Sequence, residues 1–156
     1  MNQQQALLTD RVAIVTGSAE GIGSAIAKSL AAFGAHVVVP DINEAGAQKT
    51  ATEICALGRR AIALKCDVTK QEEVDRMISA TLQEFGRVDI LVNNVGDTIR
   101  KLFMEATEEE WYWVLNVNLV QVFRCTRAIT KVMMDQEIQG SIINVTTIEA
   151  YRAAPG

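Results

Sequence analysis

Thr16-Gly17-Ser18-Ala19-Glu20-Gly21-Ile22-Gly23 stands between an apolar run, Val12 to Thr16, and a helical pattern that opens at Ile22. A strand, a glycine-rich turn and a helix in that order make a phosphate cradle. One glycine permits the tight turn, one lets the backbone approach a pyrophosphate with no Cβ in the way, and one lets helix and strand pack closely. The helix N-terminus adds N–H groups and a partial positive charge. Gly17, Ser18, Glu20, Gly21, Ile22 and Gly23 are thus candidate cofactor-binding residues. A P-loop is excluded, because Ser24 and Ala25 occupy the places of its Lys-Ser/Thr. A glycine-rich turn with no ligand remains the plain alternative.

Outward from this loop two periodicities alternate. Short β-branched runs read as buried strands at Val12 to Thr16, His36 to Val39, Ala61 to Cys66, Ile90 to Val92 and Ser141 to Thr146. Helical patterns lie between them. Ile22 to Phe33 carries Ile22, Ile26, Leu30 and Phe33 as one stripe; Gln71 to Phe85 carries Val74, Ile78, Leu82 and Phe85. Glu44 to Leu57 is a third helix, and a longer one spans Glu108 to Met134. Gly34, Gly58 and Gly86 follow the first three as stop signals. The alternation predicts an α/β fold: one parallel sheet with helices on both faces, a single domain over residues 1–156, and a ligand beyond the carboxyl ends of the strands.

Asp41 closes the second strand eighteen residues after Gly23, where a carboxylate would accept hydrogen bonds from the ribose of an adenosine. The same charge repels a 2′-phosphate. With Glu20 in the loop and no Arg or Lys there, the electrostatics favour NAD over NADP. Asp41 also suits a turn or helix N-cap ahead of Glu44, and the two roles are compatible.

Composition narrows the classes. The 156 residues carry 15 Lys+Arg against 19 Asp+Glu, net charge −4, with no basic cluster, so no nucleic-acid partner is expected. The longest run free of charge is thirteen residues, Trp111 to Phe123, too short to cross a bilayer. MNQQQALLTD has neither a basic nor an apolar leader segment, which predicts a cytoplasmic location. Cys55, Cys66 and Cys125 read as buried free thiols and His36 as a space-filling strand residue, so no metal site is expected. The sequon Asn144-Val145-Thr146 falls in an apolar strand and is discarded.

Several motifs together resemble the short-chain dehydrogenase/reductase family. TGSAEGIG is similar to its TGxxxGxG loop, and Asp67-Val68 to its adenine-contacting pair. Asn93-Asn94-Val95-Gly96 resembles NNAG with Val95 for Ala, Val117-Asn118-Leu119 resembles VNL, and Gly140 to Thr147 resembles the fifth strand. Five motifs in order cover about residues 10–150. The resemblance implies a Rossmann-type doubly wound sheet of order 3-2-1-4-5. It implies hydride transfer between a nicotinamide and a small secondary alcohol or ketone. Asp41, Ile42, Asp67, Val68, Asn94, Val95 and Gly96 would face the cofactor, and Asn93 would be mainly structural. Asn118, on an apolar helix face, would be a buried amide holding a water in a proton relay, and Thr147 would take the place of the family's substrate-orienting serine; Asn116 points to another face and has no assigned role.

The family's Tyr-x-x-x-Lys pair has no counterpart: Tyr151 is followed four residues later by Pro155. Family members run to roughly 250 residues as one domain. The chain is therefore expected to hold the cofactor-binding part, to stop before the catalytic helix, and to be inactive alone. The outward face of helix 108–134 is expected to pack against a partner subunit, giving a homo-oligomer. Two other readings stay open: a non-catalytic nucleotide-binding fragment or scaffold, and an S-adenosylmethionine methyltransferase, which NNVG and VNL disfavour.

Overall fold

All four strand pairings in the computed structural model are parallel, and the sheet order is β3-β2-β1-β4-β5, as expected. The structure describes residues 7–148 and 151; the leader reading through Ala6 and the position of Pro155 lie outside the described residues. The elements are β1 Val12–Val15, α1 Gly21–Ala32, β2 His36–Asp41, α2 Glu44–Ala56, β3 Ala61–Lys65, α3 Gln71–Phe85, β4 Ile90–Asn93, α4 Glu108–Leu115, α5 Gln121–Asp135 and β5 Ser141–Asn144. β1 and β4 are buried along their whole length, whereas β5, at one edge, is exposed at every residue.

Alternation along the central strands sends side chains to two cores. Ala13, Val15, Val37 and Val39 meet Ala27, Ala31, Ala47, Ala51 and Ile54 from α1 and α2. Val12, Ile14, Val38 and Leu91 meet Val74, Met77, Cys125, Ile129 and Met133 from α3 and α5. Burial on both faces is why these strands read as continuous apolar runs.

Three expectations are corrected. The buried row of α1 is Gly23, Ser24, Ala27 and Ala31, while Ile22 and Phe33 of the expected stripe are 68% and 52% exposed. Small side chains let α1 approach the sheet, and the large ones flank that contact. The long helix is interrupted: α4, opened by a Thr107–Glu110 capping box, passes into a π turn, Asn116–Val120, before α5 begins. Cys55 is exposed, unlike Cys66 and Cys125. No described helix is long and apolar enough to cross a membrane.

At the amino ends of the strands, the buried Asp89 carboxylate binds Arg87 through two bonds, Arg11 Nη1 at 2.7 Å and the Val12 N–H at 3.0 Å. Burial pushes its pKa up, but these donors outweigh it and hold the group below its ordinary value.

Candidate functional site

The site lies at the opposite ends of the strands, where β1 and β4 are neighbours and their connections leave in opposite directions. Thr16, just past β1, joins the two. Its hydroxyl donates to Val92 O at 3.3 Å and accepts from the N–H groups of Asn94 and Val95 at 3.0 and 3.3 Å. Asn94 Nδ2 then donates to the carbonyls of Thr16 and Gly17, both at 3.0 Å. Gly23 completes the lock: a Cβ there would stand 2.2 Å from Gly17 O, a contact no side chain can make.

Gly21 differs. Its φ is +57° and a Cβ would meet nothing within 4 Å. Glu20 precedes α1 without a side-chain capping bond. The helix N-terminus is thus open on the side from which a phosphate would approach, and this fits a dinucleotide's pyrophosphate. The Ser18 hydroxyl is buried and donates to Val15 O at 2.6 Å, so only the main chain of Ser18 can serve a ligand.

Beside the loop is a cleft of about 330 Å³, a volume in the range of small-molecule sites. Its walls include eight of the expected residues, Gly17, Asp41, Ile42, Asp67, Val68, Asn94, Val95 and Gly96. Ser18, Glu20, Gly21, Ile22 and Gly23 do not line it; they form the loop and first turn of α1 next to Gly17. Asp41 accepts one N–H on each oxygen, from Asn43 on Oδ1 and from Ala19 on Oδ2, both at 2.9 Å. It is the last residue of β2, and its side chain caps the turn that follows; the N-cap of α2 is Asn43, whose Oδ1 accepts from Gly46 N at 3.1 Å. One acceptor position per Asp41 oxygen remains, which suits two ribose hydroxyls.

Asp67 is turned toward its own loop. Its Oδ1 accepts from the Thr69 N–H at 3.0 Å and hydroxyl at 2.6 Å, and Lys70 Nζ lies 3.2 Å from Oδ2. Burial raises its pKa, but the Thr69 bonds and the Lys70 charge prevail and lower it. Asn93 is buried and structural, as expected: Nδ2 donates to Asn144 Oδ1 on β5 at 2.8 Å and to Thr126 Oγ1 on α5 at 3.1 Å.

Asn118 is a correction: it is exposed, not buried. From the π turn its Nδ2 donates to Asp97 O at 2.6 Å and Val114 O at 2.9 Å, and its Oδ1 accepts from Asp97 N at 3.2 Å. Both ends of the amide therefore hold protein backbone and fix the segment after Gly96. Thr147 is exposed three residues beyond β5, past the same carboxyl ends of the strands as Asn94 to Gly96.

Cys66, Thr69, Trp113 and Val117, which were not foreseen, also line the cleft, as does Asp97. Trp113 and Val117 share one helix face at i,i+4, which marks a common neighbour but not which one. Burial pushes the Cys66 thiol up to about 12, so it is an inert wall. Fully buried Gln121 at the start of α5 was also missed; its Nε2 donates to Val95 O at 3.1 Å.

A family model described as short chain dehydrogenase matches residues 11–156. Relatives include a 3-oxoacyl-[acyl-carrier-protein] reductase of Synechocystis sp., 43% identical over 96% of this chain and 60% of that protein. A second reductase of the same description, from Vibrio cholerae, is 41% identical over 90% of this chain and 56% of its own length. A Sinorhizobium meliloti 1021 protein, described with its crystal structure as a short-chain alcohol dehydrogenase, superposes with TM-score 0.90 at 36% identity, over 96% of this chain and 59% of that one. The chain thus spans about 60% of the length of the relatives it matches.

Proposed function

Because the chain belongs to the short-chain dehydrogenase family, we propose that it is the cofactor-binding part of an NAD(P)-dependent oxidoreductase. The observation that carries this reading is the open α1 N-terminus beside a cleft that contains Asp41. A bound dinucleotide supplies the nicotinamide carbon that gives or takes a hydride. The glycine loop and first turn of α1 hold the pyrophosphate, Asp41 accepts from the ribose hydroxyls, and Asp67 and Val68 border the adenine. Asn94, Val95 and Gly96, held by Thr16, Gln121 and Asn118, form the wall toward the nicotinamide. With Asp41 and Glu20 on this path and no cation in the loop, NAD is the preferred form.

The substrate is a secondary alcohol or ketone. Because two of the relatives are described as 3-oxoacyl-[acyl-carrier-protein] reductases, 3-oxoacyl thioesters are the first class to test. The Thr147 hydroxyl orients the substrate oxygen. No Tyr-x-x-x-Lys exists in the sequence, so the 156-residue polypeptide binds cofactor without turnover. Exposed Trp111, Tyr112, Leu115, Leu119 and Phe123 on α4–α5 form the contact of a homo-oligomer. The test is a fluorescence titration with NADH, NADPH and S-adenosylmethionine. Tighter binding of NADH is expected; a response to S-adenosylmethionine alone overturns the reading.

A further inference from the structure

The main chain of Ala19, in the glycine loop, is held from both sides. Its N–H donates to Asp41 Oδ2 at 2.9 Å, and its carbonyl accepts from the Thr50 hydroxyl at 3.0 Å. Thr50 lies in α2, is buried, and has its Oγ1 3.0 Å from Ser24 Oγ in α1. A hydroxyl has one proton to give. Since Thr50 gives its proton to Ala19, Ser24 is the donor in the second bond. A directed chain therefore runs from Ser24 through Thr50 to the Ala19 carbonyl, and the Ala19 N–H continues to Asp41. Thr52, in the same helix, instead donates to Gln48 O one turn back at 2.8 Å, the ordinary bond of a helical threonine. Thr50 gives up that local bond for a carbonyl 31 residues away in sequence.

We infer that Thr50 is a positioning residue for the dinucleotide's ribose: by clamping Ala19 it fixes the Asp41 carboxylate and so sets selectivity for NAD over NADP. The inference rests on the dinucleotide reading above. The two vicinal ribose hydroxyls need two acceptors at a fixed separation and direction. The Asn43 N–H follows Asp41 in the chain and moves with it, so Ala19 is the only one of its two N–H donors anchored elsewhere. Without the Thr50 hydroxyl, Ala19 O and Ser24 Oγ lose their partner in a buried setting, and the loop turns to find another. The carboxylate then loses its outside reference. NADH, which needs both acceptors, is affected more than NADPH, which the carboxylate repels in any orientation.

The test compares Thr50→Val, which keeps shape and removes the hydroxyl, with Thr50→Ser, which restores it. Dissociation constants for NADH and NADPH are read by fluorescence titration, and amide hydrogen exchange at Ala19 is read in the free protein. Thr50→Val is expected to weaken NADH by about tenfold and NADPH by about threefold or less, with faster exchange at Ala19; Thr50→Ser restores both readouts. Equal weakening of the two dinucleotides, or unchanged selectivity, overturns the inference. If Thr50→Val does not fold, Thr50→Ala removes the same hydroxyl with less bulk and is judged by the same ratio. A wild-type protein that binds neither dinucleotide overturns the dinucleotide reading itself, an outcome distinct from binding whose selectivity ignores Thr50.

Discussion

Asn94 Nδ2 sits 3.0 Å from Gly17 O and, at the same distance, from Thr16 O, so one amide group fastens the end of β4 to the start of the glycine loop. Gly23 lies against this junction from the α1 side, since its missing Cβ would stand 2.6 Å from Asn94 Nδ2. Three elements distant in sequence are pinned at one point. Asn94→Ala leaves two loop carbonyls without their donor, costing about 1–3 kcal/mol of stability and about tenfold in dinucleotide affinity. Thermal unfolding and NADH titration measure the two losses separately.

Asp41→Ala is expected to narrow the preference for NADH over NADPH by removing the charge that repels a 2′-phosphate. It also removes the acceptor for Ala19 N–H and Asn43 N–H, so affinity for both dinucleotides falls. The ratio of the two dissociation constants carries the electrostatic effect. A wild-type protein that already prefers NADPH contradicts the ribose argument.

Gly23→Ala and Gly21→Ala separate packing from approach. At Gly23 a Cβ collides with backbone, and the loop must shift; a loss of about 1–3 kcal/mol in unfolding experiments is expected, with binding abolished. At Gly21 there is space but a positive φ, so about 1 kcal/mol of strain is expected. Its Cβ then occupies the phosphate's approach, and binding weakens by more than stability does.

His36 makes stability depend on pH. Burial lowers its pKa, with Arg59 and Arg60 adding to the effect against the opposing charge of Asp10. Its Nδ1 accepts from the Arg60 N–H at 3.1 Å, its Nε2 lies 3.3 Å from Arg59 Nη2, and its ring stacks on Phe85. The folded state therefore binds the proton less readily than the unfolded chain, whose imidazole titrates near 6.5. Stability is full above that pH and is lost as pH falls through the lowered folded value. Denaturant unfolding between pH 7.5 and 5 is expected to show this decline, and His36→Gln to flatten it. Asp67 and Asp89, both lowered carboxylates, lose their contribution only in more acid solution.

The strand–helix alternation was legible because each central strand is buried on both faces and each of the first three helices ends at a positive-φ glycine. The α1 stripe was misread because its buried row is written in Gly, Ser and Ala, residues that periodicity weighs lightly, while exposed Ile22 and Phe33 have the same spacing. The π turn at Asn116–Val120 leaves no mark in composition, since it changes how residues are wound and not which ones they are. That winding brings exposed Asn118 onto the backbone of Asp97, where a regular helical reading expected a buried amide. The loop and Asp41 were readable as single motifs. Thr50 and Gln121 were not, because each acts through a backbone carbonyl far along the chain.

Asp89, with Arg11 and Arg87, anchors the sheet at the end away from the cleft. A buried ion cluster that ties the sheet and the corner that selects the ligand thus lie at opposite poles of the molecule. Strengthening the acid–arginine cluster to toughen the protein, and rewriting the Asp41 corner to change its cofactor, are engineering steps that can be taken together without interfering.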